Sequence, residues 1–223
     1  MKNITLITSI IDTPNKPLSY IKTRSVFTKE QRFEQTKKTI LSIREKIPYN
    51  RIFLIECSLL TSEENDFFIE NVDYFLNIYD TNNTDIINRL FTISKSMGEG
   101  TMTTIALQYI FNNKIGFDYL YKISGRYWLN DNFNYSLFDN NLSCIHQIDN
   151  NSNNAFSCFY KLTNKMTYDW FYFLLNSEDD FINCIGYEVI FAKFLKKFND
   201  NIFIRNKIGI NGYVTVCGTY IDM

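Results

Sequence analysis

Two short apolar runs bracket one amphipathic helix near the start of the chain, and this spacing limits the fold more than any other feature. Asn3 to Ile11 (NITLITSII) is β-branched and apolar, and Pro14 and Pro17 close it. Arg51 to Glu56 (RIFLIE) is a second apolar run. Both read as buried strands, because neither alternates polar and apolar residues. Between them Thr28 and Gln31 have the spacing of a capping box. Phe33, Thr36, Ile40, Ile43 and Ile47 then recur at steps of three and four until Pro48. That is one apolar stripe on a helix. Strand, helix and strand in this order make a βαβ unit and favour a parallel sheet.

The pattern continues. Thr61 and Glu64 repeat the capping signature before a helix over 62–71, and 74–79 reads as a third strand. Gly98 and Gly100 are expected to break the chain before a helix over 101–113, which Gly116 ends. Tyr119 to Ser124 (YLYKIS) is the next core strand. After 130 the pattern changes. Ser143–Ile148 and Ala155–Leu162 flank an Asn-rich DNNSNN turn, a hairpin signal. Helices over 165–176 and 180–198 and strands over 202–205 and 213–217 complete the reading. No repeat or linker interrupts it. The expectation is one three-layer, Rossmann-type α/β domain over 1–223, with a mostly parallel central sheet and a mixed C-terminal half. The chain's 20 Phe, 15 Tyr and 2 Trp supply ample apolar area for its core.

Charge and composition exclude several classes. The net charge is −1, from 23 Lys plus Arg against 24 Asp plus Glu. A partner with a nucleic-acid backbone calls for a basic excess, so no nucleic acid is expected. No apolar run is long enough to span a bilayer, and the first residues lack the parts of a signal peptide. A soluble, cytoplasmic protein is the expectation. The five cysteines are odd in number and form no CxxC pair, which points to reduced thiols. Scarce Ala and abundant Asn and Ile follow AT-rich coding, as in a low-GC bacterium or a large DNA virus; if viral, the location is the host cytoplasm.

In open parallel sheets ligands sit beyond the carboxyl ends of the strands. Thr8 and Ser9 end the first strand and offer hydroxyls and backbone groups to a base. Glu56 ends the second, where it can accept from a ribose or base N–H. Arg24 and Arg32 flank the start of the first helix and suit phosphate. Lys95 and Gly98 belong to a Gly-containing segment, KSMGEG, which is neither a P-loop nor a GxGxxG fingerprint. The densest constellation is KISGRYWLND, residues 122–131. Here Lys122 and Arg126 bring positive charge beside Ser124, Gly125 admits close backbone approach, and Tyr127 and Trp128 can stack on a sugar or wall a pocket. Glu188 borders the apolar stripe of a late helix, a setting that suits a general base. His146, the only histidine, sits in a hairpin strand and reads as structural. Glu64/Asp66 and Glu178/Asp180 lie at helix starts, where the dipole explains acids.

These segments together resemble the GT-A class of nucleotide-sugar glycosyltransferases, and look like small glycosyltransferase-like proteins of large DNA viruses and bacterial polysaccharide loci. The likeness rests on LITSII, QRFEQTKKTILSIREKIP, IFLIECS and YLYKISGRYWLND, spanning about residues 3–131, and more loosely on the Glu188 helix. It implies a nucleotide-sugar-binding half, 1–131, and an acceptor-binding half, 132–223. It also implies hexosyl or pentosyl transfer from a UDP- or GDP-linked sugar to a glycan or other hydroxyl acceptor. The family has a D-x-D that holds a divalent metal on the diphosphate; here that position looks like Ser124-Gly125-Arg126, or nearby Asn130-Asp131. No cofactor is therefore required on this reading; if Mn2+ or Mg2+ is used, Asp131 is the candidate ligand. Arg126, Lys122 and Arg32 are expected to neutralise the leaving diphosphate. Glu188 is expected to be the base of an inverting transfer. The missing D-x-D also motivates an alternative: a catalytically degenerate domain that binds a glycan or nucleotide. A sugar-phosphate nucleotidyltransferase is disfavoured, because no G-x-G-T-R-type opening follows the first strand.

Overall fold

The computed structural model describes residues 2–149, 154–198, 202–205 and 207–223. Its first strand, β1 (Asn3–Thr8), lies parallel to β2 (Asn50–Glu56), in register from Asn3 opposite Asn50 to Thr8 opposite Ile55. The connecting helix, α1 (Lys29–Lys46), starts on the expected capping box: Thr28 N donates to Gln31 Oε1 at 3.0 Å, and Gln31 N donates to Thr28 Oγ1 at 3.3 Å. Its stripe of Phe33, Thr36, Ile40 and Ile43 is buried. Helix α2 (Ser62–Asn71) leads to β3 (Tyr74–Asn77), parallel to β2. Helices α3 (Thr84–Leu90) and α4 (Lys95–Asn112) then lead to β4 (Tyr119–Ser124), parallel to β1 on its other side.

A short strand, β5 (Tyr127–Leu129), follows at once. The hairpin of β6 (Cys144–Asp149) and β7 (Asn154–Thr163) is antiparallel; most of its DNNSNN turn lies outside the described residues. Helices α5 (Asn164–Leu175), α6 (Glu178–Ile182) and α7 (Tyr187–Leu195) precede β8 (Ile202–Arg205), β9 (Ile210–Tyr213) and β10 (Tyr220–Asp222). The main sheet has the order β3-β2-β1-β4-β7-β6-β8. Among its described strands only β7 runs against the rest. A small antiparallel sheet, β10-β9-β5, packs beside α1.

Alternation along the central strands splits the core. Ile4 and Leu6 face α4, α5 and α7, where Trp170, Phe191 and Phe194 are buried. Ile7, Ile52 and Leu54 face α1 and the small sheet. This is the expected three-layer α/β arrangement with a mostly parallel sheet and a mixed C-terminal half. Among the described residues no helix is long and apolar enough to cross a membrane.

Three local expectations are corrected, and one helix is added. Gly98 and Gly100 do not precede a helix; they lie inside α4, which starts at Lys95 under a Ser94 cap that accepts from Met97 N at 3.2 Å. A helical glycine costs up to about 1 kcal/mol relative to Ala, but here a side chain has no room. A Cβ on Gly98 would stand 2.7 Å from the Leu90 carbonyl oxygen, and one on Gly100 2.3 Å from the Phe181 ring. The helix expected over 180–198 is interrupted between α6 and α7, where Cys184 takes a φ of 56°. The strand expected over 213–217 ends at Tyr213, and the chain turns at Gly218 (φ 74°) into β10. Helix α3, unanticipated, starts on Asn83, whose side chain accepts from Ile86 N at 3.1 Å.

Candidate active site

Two cavities adjoin at the carboxyl edge of the parallel strands, and Lys95, Glu99 and Arg126 form their common wall. The first is a slot of about 90 Å³. Thr8 and Ser9 reach it from the end of β1, Arg32 from α1, and Arg24 from the 12–27 loop. Lys95 and Gly98 come from α4, and Gly125 and Arg126 from the β4–β5 turn. Four cations thus surround one carboxylate.

Three of these cations keep a buried guanidinium nitrogen with no partner among the described residues: Arg24 Nε, Arg32 Nη1 and Arg126 Nε. Arg32 is anchored by Nε, which donates to Ile10 O at 2.6 Å. Burial, with Arg126 nearby, lowers its pKa to about 10. Arg24 donates from Nη2 to Thr92 O. The Arg126 guanidinium sits 5.0 Å from the centre of the Tyr127 ring. Burial, with Arg126 again contributing, lowers Lys95 to about 8. Leaving buried donors unpaired is costly, and three arginines and a lysine around one carboxylate give the slot a cation excess that suits an anion.

Glu99 organises the wall between the cavities. Its Oε1 receives Lys122 Nζ, Ser124 Oγ at 3.3 Å and Thr8 Oγ1 at 3.4 Å. Burial alone would raise its pKa, but Lys122, Arg126 and Lys95 together outweigh that and hold it at about 2. Lys122 is fully buried, donating also to Ser124 Oγ (2.9 Å) and Ser157 O (3.1 Å). It lines neither cavity and touches the site only through its partners.

The second cavity is a chamber of about 390 Å³. Tyr20, Tyr127, Phe156 and Tyr187 give it aromatic walls; Ser96, Ser124 and Ser157 give it hydroxyls. Glu188, in the first turn of α7, faces it and accepts from Ser157 Oγ at 3.2 Å. Rings and hydroxyls beside Glu188, with Lys95, Glu99 and Arg126 at the shared wall, are the composition of a site for a polyhydroxylated ligand.

Other expected residues land elsewhere. Glu56 stands at the same sheet edge as Ser9 but lines neither cavity. Its Oε1 accepts from Ile11 N (3.1 Å), Cys57 N (2.9 Å) and Ser58 Oγ (2.6 Å), so it clamps the chain leaving β1. Burial pushes its pKa up. Gly125 does permit a close approach, though of protein to protein: a Cβ there would lie 2.9 Å from Ser9 Cβ. Asp131 is exposed, pairs with Lys46 at 3.2 Å, and lines neither cavity. His146 is buried in β6 with its ring edge-on to Phe191.

The wall does not fit a divalent cation. Oxygen ligands are required, yet the slot's one carboxylate is engaged by an ammonium and two hydroxyls and surrounded by further cations. Among the described residues no cluster of three His, Cys, Asp or Glu side chains could hold a metal ion.

Glu99 is the functional residue that reading the sequence missed. Its signal was present: Lys95 and Glu99 are four apart after a Ser94 cap, which puts both on one helical face. Assigning the glycines to a turn hid it.

No family model matches the chain, and no curated protein sequence matches it. Among solved structures it is similar to the crystal structure of a glycosyltransferase involved in the glycosylation of the major capsid of PBCV-1. The TM-score is 0.51 at 10% identity, covering 91% of this chain and 81% of that one. At this identity the likeness concerns the fold: the chain has a glycosyltransferase-like α/β fold.

Proposed function

We propose that the protein is a glycosyltransferase that takes a sugar from a UDP- or GDP-linked donor, without a divalent metal, and passes it to a hydroxyl of a glycan. The observation that carries this reading is the convergence of Arg24, Arg32, Lys95 and Arg126 on one slot at the strand ends. The glycosyltransferase-like fold supports it.

On this reading the donor diphosphate lies against Arg24, Arg32, Lys95 and Arg126, with the nucleoside toward Thr8 and Ser9. The slot, about 90 Å³, holds phosphate groups but not a nucleoside. Donor entry therefore requires the 12–27 loop to swing outward. Few backbone bonds hold that loop down; among them are Ser19 N to Ile93 O and Val26 N to Thr215 O, each 2.9 Å. The sugar projects into the chamber. Glu188 takes the proton of the acceptor hydroxyl, whose oxygen bonds to the anomeric carbon from the face opposite the leaving group. The bond to the diphosphate oxygen breaks, its electron pair stays on the diphosphate, and the configuration inverts. The slot's cations stabilise the charge that develops there. A divalent cation is unnecessary because side chains already supply the positive charge.

Calorimetric titration of the protein with UDP and GDP, with and without EDTA, tests this. One nucleotide is expected to bind equally well in both conditions. Binding abolished by EDTA and restored by Mn2+ would refute metal independence; binding of neither nucleotide would refute the function.

A further inference from the structure

The Arg126-Tyr127-Trp128 segment divides between two surfaces. Tyr127 walls the chamber, whereas Trp128, the next residue of β5, points to the opposite side of the small sheet and lines neither cavity. In the sheet register Trp128 stands opposite Asn211, and Asn211 opposite Asp222; Tyr220 stands opposite Tyr213. All five side chains therefore share the outer face.

Three rings dominate it. Trp128, Tyr213 and Tyr220 have centroids 5.8, 6.4 and 5.4 Å apart, with planes tilted by 52°, 47° and 63°. None stacks flat on another; Phe27 packs against Tyr213 at 5.3 Å and Lys38 lies over Trp128, which leaves Tyr220 the most open of the three. Tyr220 is 49% exposed, and Trp128 and Tyr213 are half-buried. Beside the rings lies a polar patch: the Asn130 amide is 2.6 Å from that of Asn211 and 3.3 Å from Asp222 Oδ1. Charge on the face is low, with two lysines against one aspartate among the described residues. Asp222 faces Lys207 at 3.9 Å, and Lys38 Nζ lies 5.2 Å from the centre of the Trp128 ring.

We propose that this face is an accessory binding site for a neutral oligosaccharide, resting on the reading of the protein as a glycosyltransferase with a glycan acceptor. A sugar ring has an apolar C–H face and a rim of hydroxyls. The three rings can take the first, and the two amides and the carboxylate the second. A nucleic acid or an anionic bilayer would call for a much larger cation excess than the two lysines against one aspartate among the described residues of this face. The placement suits an acceptor longer than one sugar. Tyr213 belongs to the platform and the next residue, Val214, lines the chamber, as do Ile221 and Met223 on either side of Asp222. A glycan held on the platform thus reaches the chamber around the edge of one thin sheet.

The chain has two tryptophans, and Trp170 is fully buried in the core, so a surface ligand is reported by Trp128. Tryptophan fluorescence would be followed while wild-type protein, Tyr220→Ala and Asp222→Ala are titrated with maltohexaose, cellohexaose, chitohexaose and xylohexaose. UDP and GDP titrations and sedimentation velocity would be run on each protein. At least one hexaose is expected to give a saturable change that each variant weakens roughly tenfold, with nucleotide affinity unchanged. The proposal is overturned if wild type responds to none of the four, or if both variants keep full affinity. It is also overturned if the protein self-associates through this face and Tyr220→Ala abolishes the association. A hexaose response with no nucleotide binding would support the platform and bring down only the glycosyltransferase reading.

Discussion

Replacing Glu99 by glutamine probes the wall between the cavities. The side chain keeps its shape but loses its charge, and Lys122, with no exposed surface, is left with Ser124 Oγ, Ser157 O and one amide oxygen. Two routes give the cost. The Glu99 carboxyl falls from an ordinary 4.5 to about 2, which by linkage is worth about 3 kcal/mol at neutral pH. Breaking a buried ion pair costs about 3 to 5 kcal/mol, because one charge stays uncompensated; the remaining amide oxygen favours the lower end. The sign follows from the direction of the shift. A depressed carboxyl pKa stabilises the fold fully above the unfolded value and loses its contribution as pH falls toward the folded one. Urea denaturation of wild type and Glu99→Gln should therefore show a gap of about 3 kcal/mol at pH 7, narrowing to about 1.4 kcal/mol at pH 3. Adding Lys122→Met should recover about 1 kcal/mol or more of the loss, because the stranded ammonium is gone. UDP or GDP affinity should not fall, since the slot loses a negative charge. A gap below about 1 kcal/mol at pH 7, or one that does not shrink with acid, would refute the reasoning.

Arg126→Ala should weaken nucleotide binding by about 1.5 to 3 kcal/mol, the scale of a charge-assisted hydrogen bond; unchanged affinity by calorimetry in the folded variant would make Arg126 structural. Lys95, lowered to about 8, is charged below that pH and neutral above it. Nucleotide affinity should thus decline as pH rises through about 8, and Lys95→Met should flatten the profile. Glu188→Gln should keep donor affinity while transfer drops by roughly 10² to 10⁴, the contribution of a positioned base; near wild-type turnover by product chromatography would remove Glu188 from the chemistry.

The parallel half of the sheet was legible in the residue order, whereas the strand order and the second, three-stranded sheet were not. The β1–α1–β2 unit and its capping box follow from local periodicity and end chemistry, which act within a few residues and so can be read along the chain. The same logic placed Thr8, Ser9, Arg32 and Arg126 at one edge, because parallel strands in register end together. Local reading failed where a contact between distant segments overrode propensity. Gly98 and Gly100 look like breakers, yet the Leu90 carbonyl and the Phe181 ring leave room for no other residue in the helix. Glu56 looks like a ligand-binding acid, but the chain leaving β1 folds back and uses its carboxylate. Tyr127 and Trp128 read as one aromatic pair, and pairing with β9 sends them to opposite faces. The meeting of Glu99 with Lys122, and of three arginines around one slot, came from the folded chain alone. Burial and charge pairing depend on which distant segments meet, and such distances are written nowhere in the local order of residues.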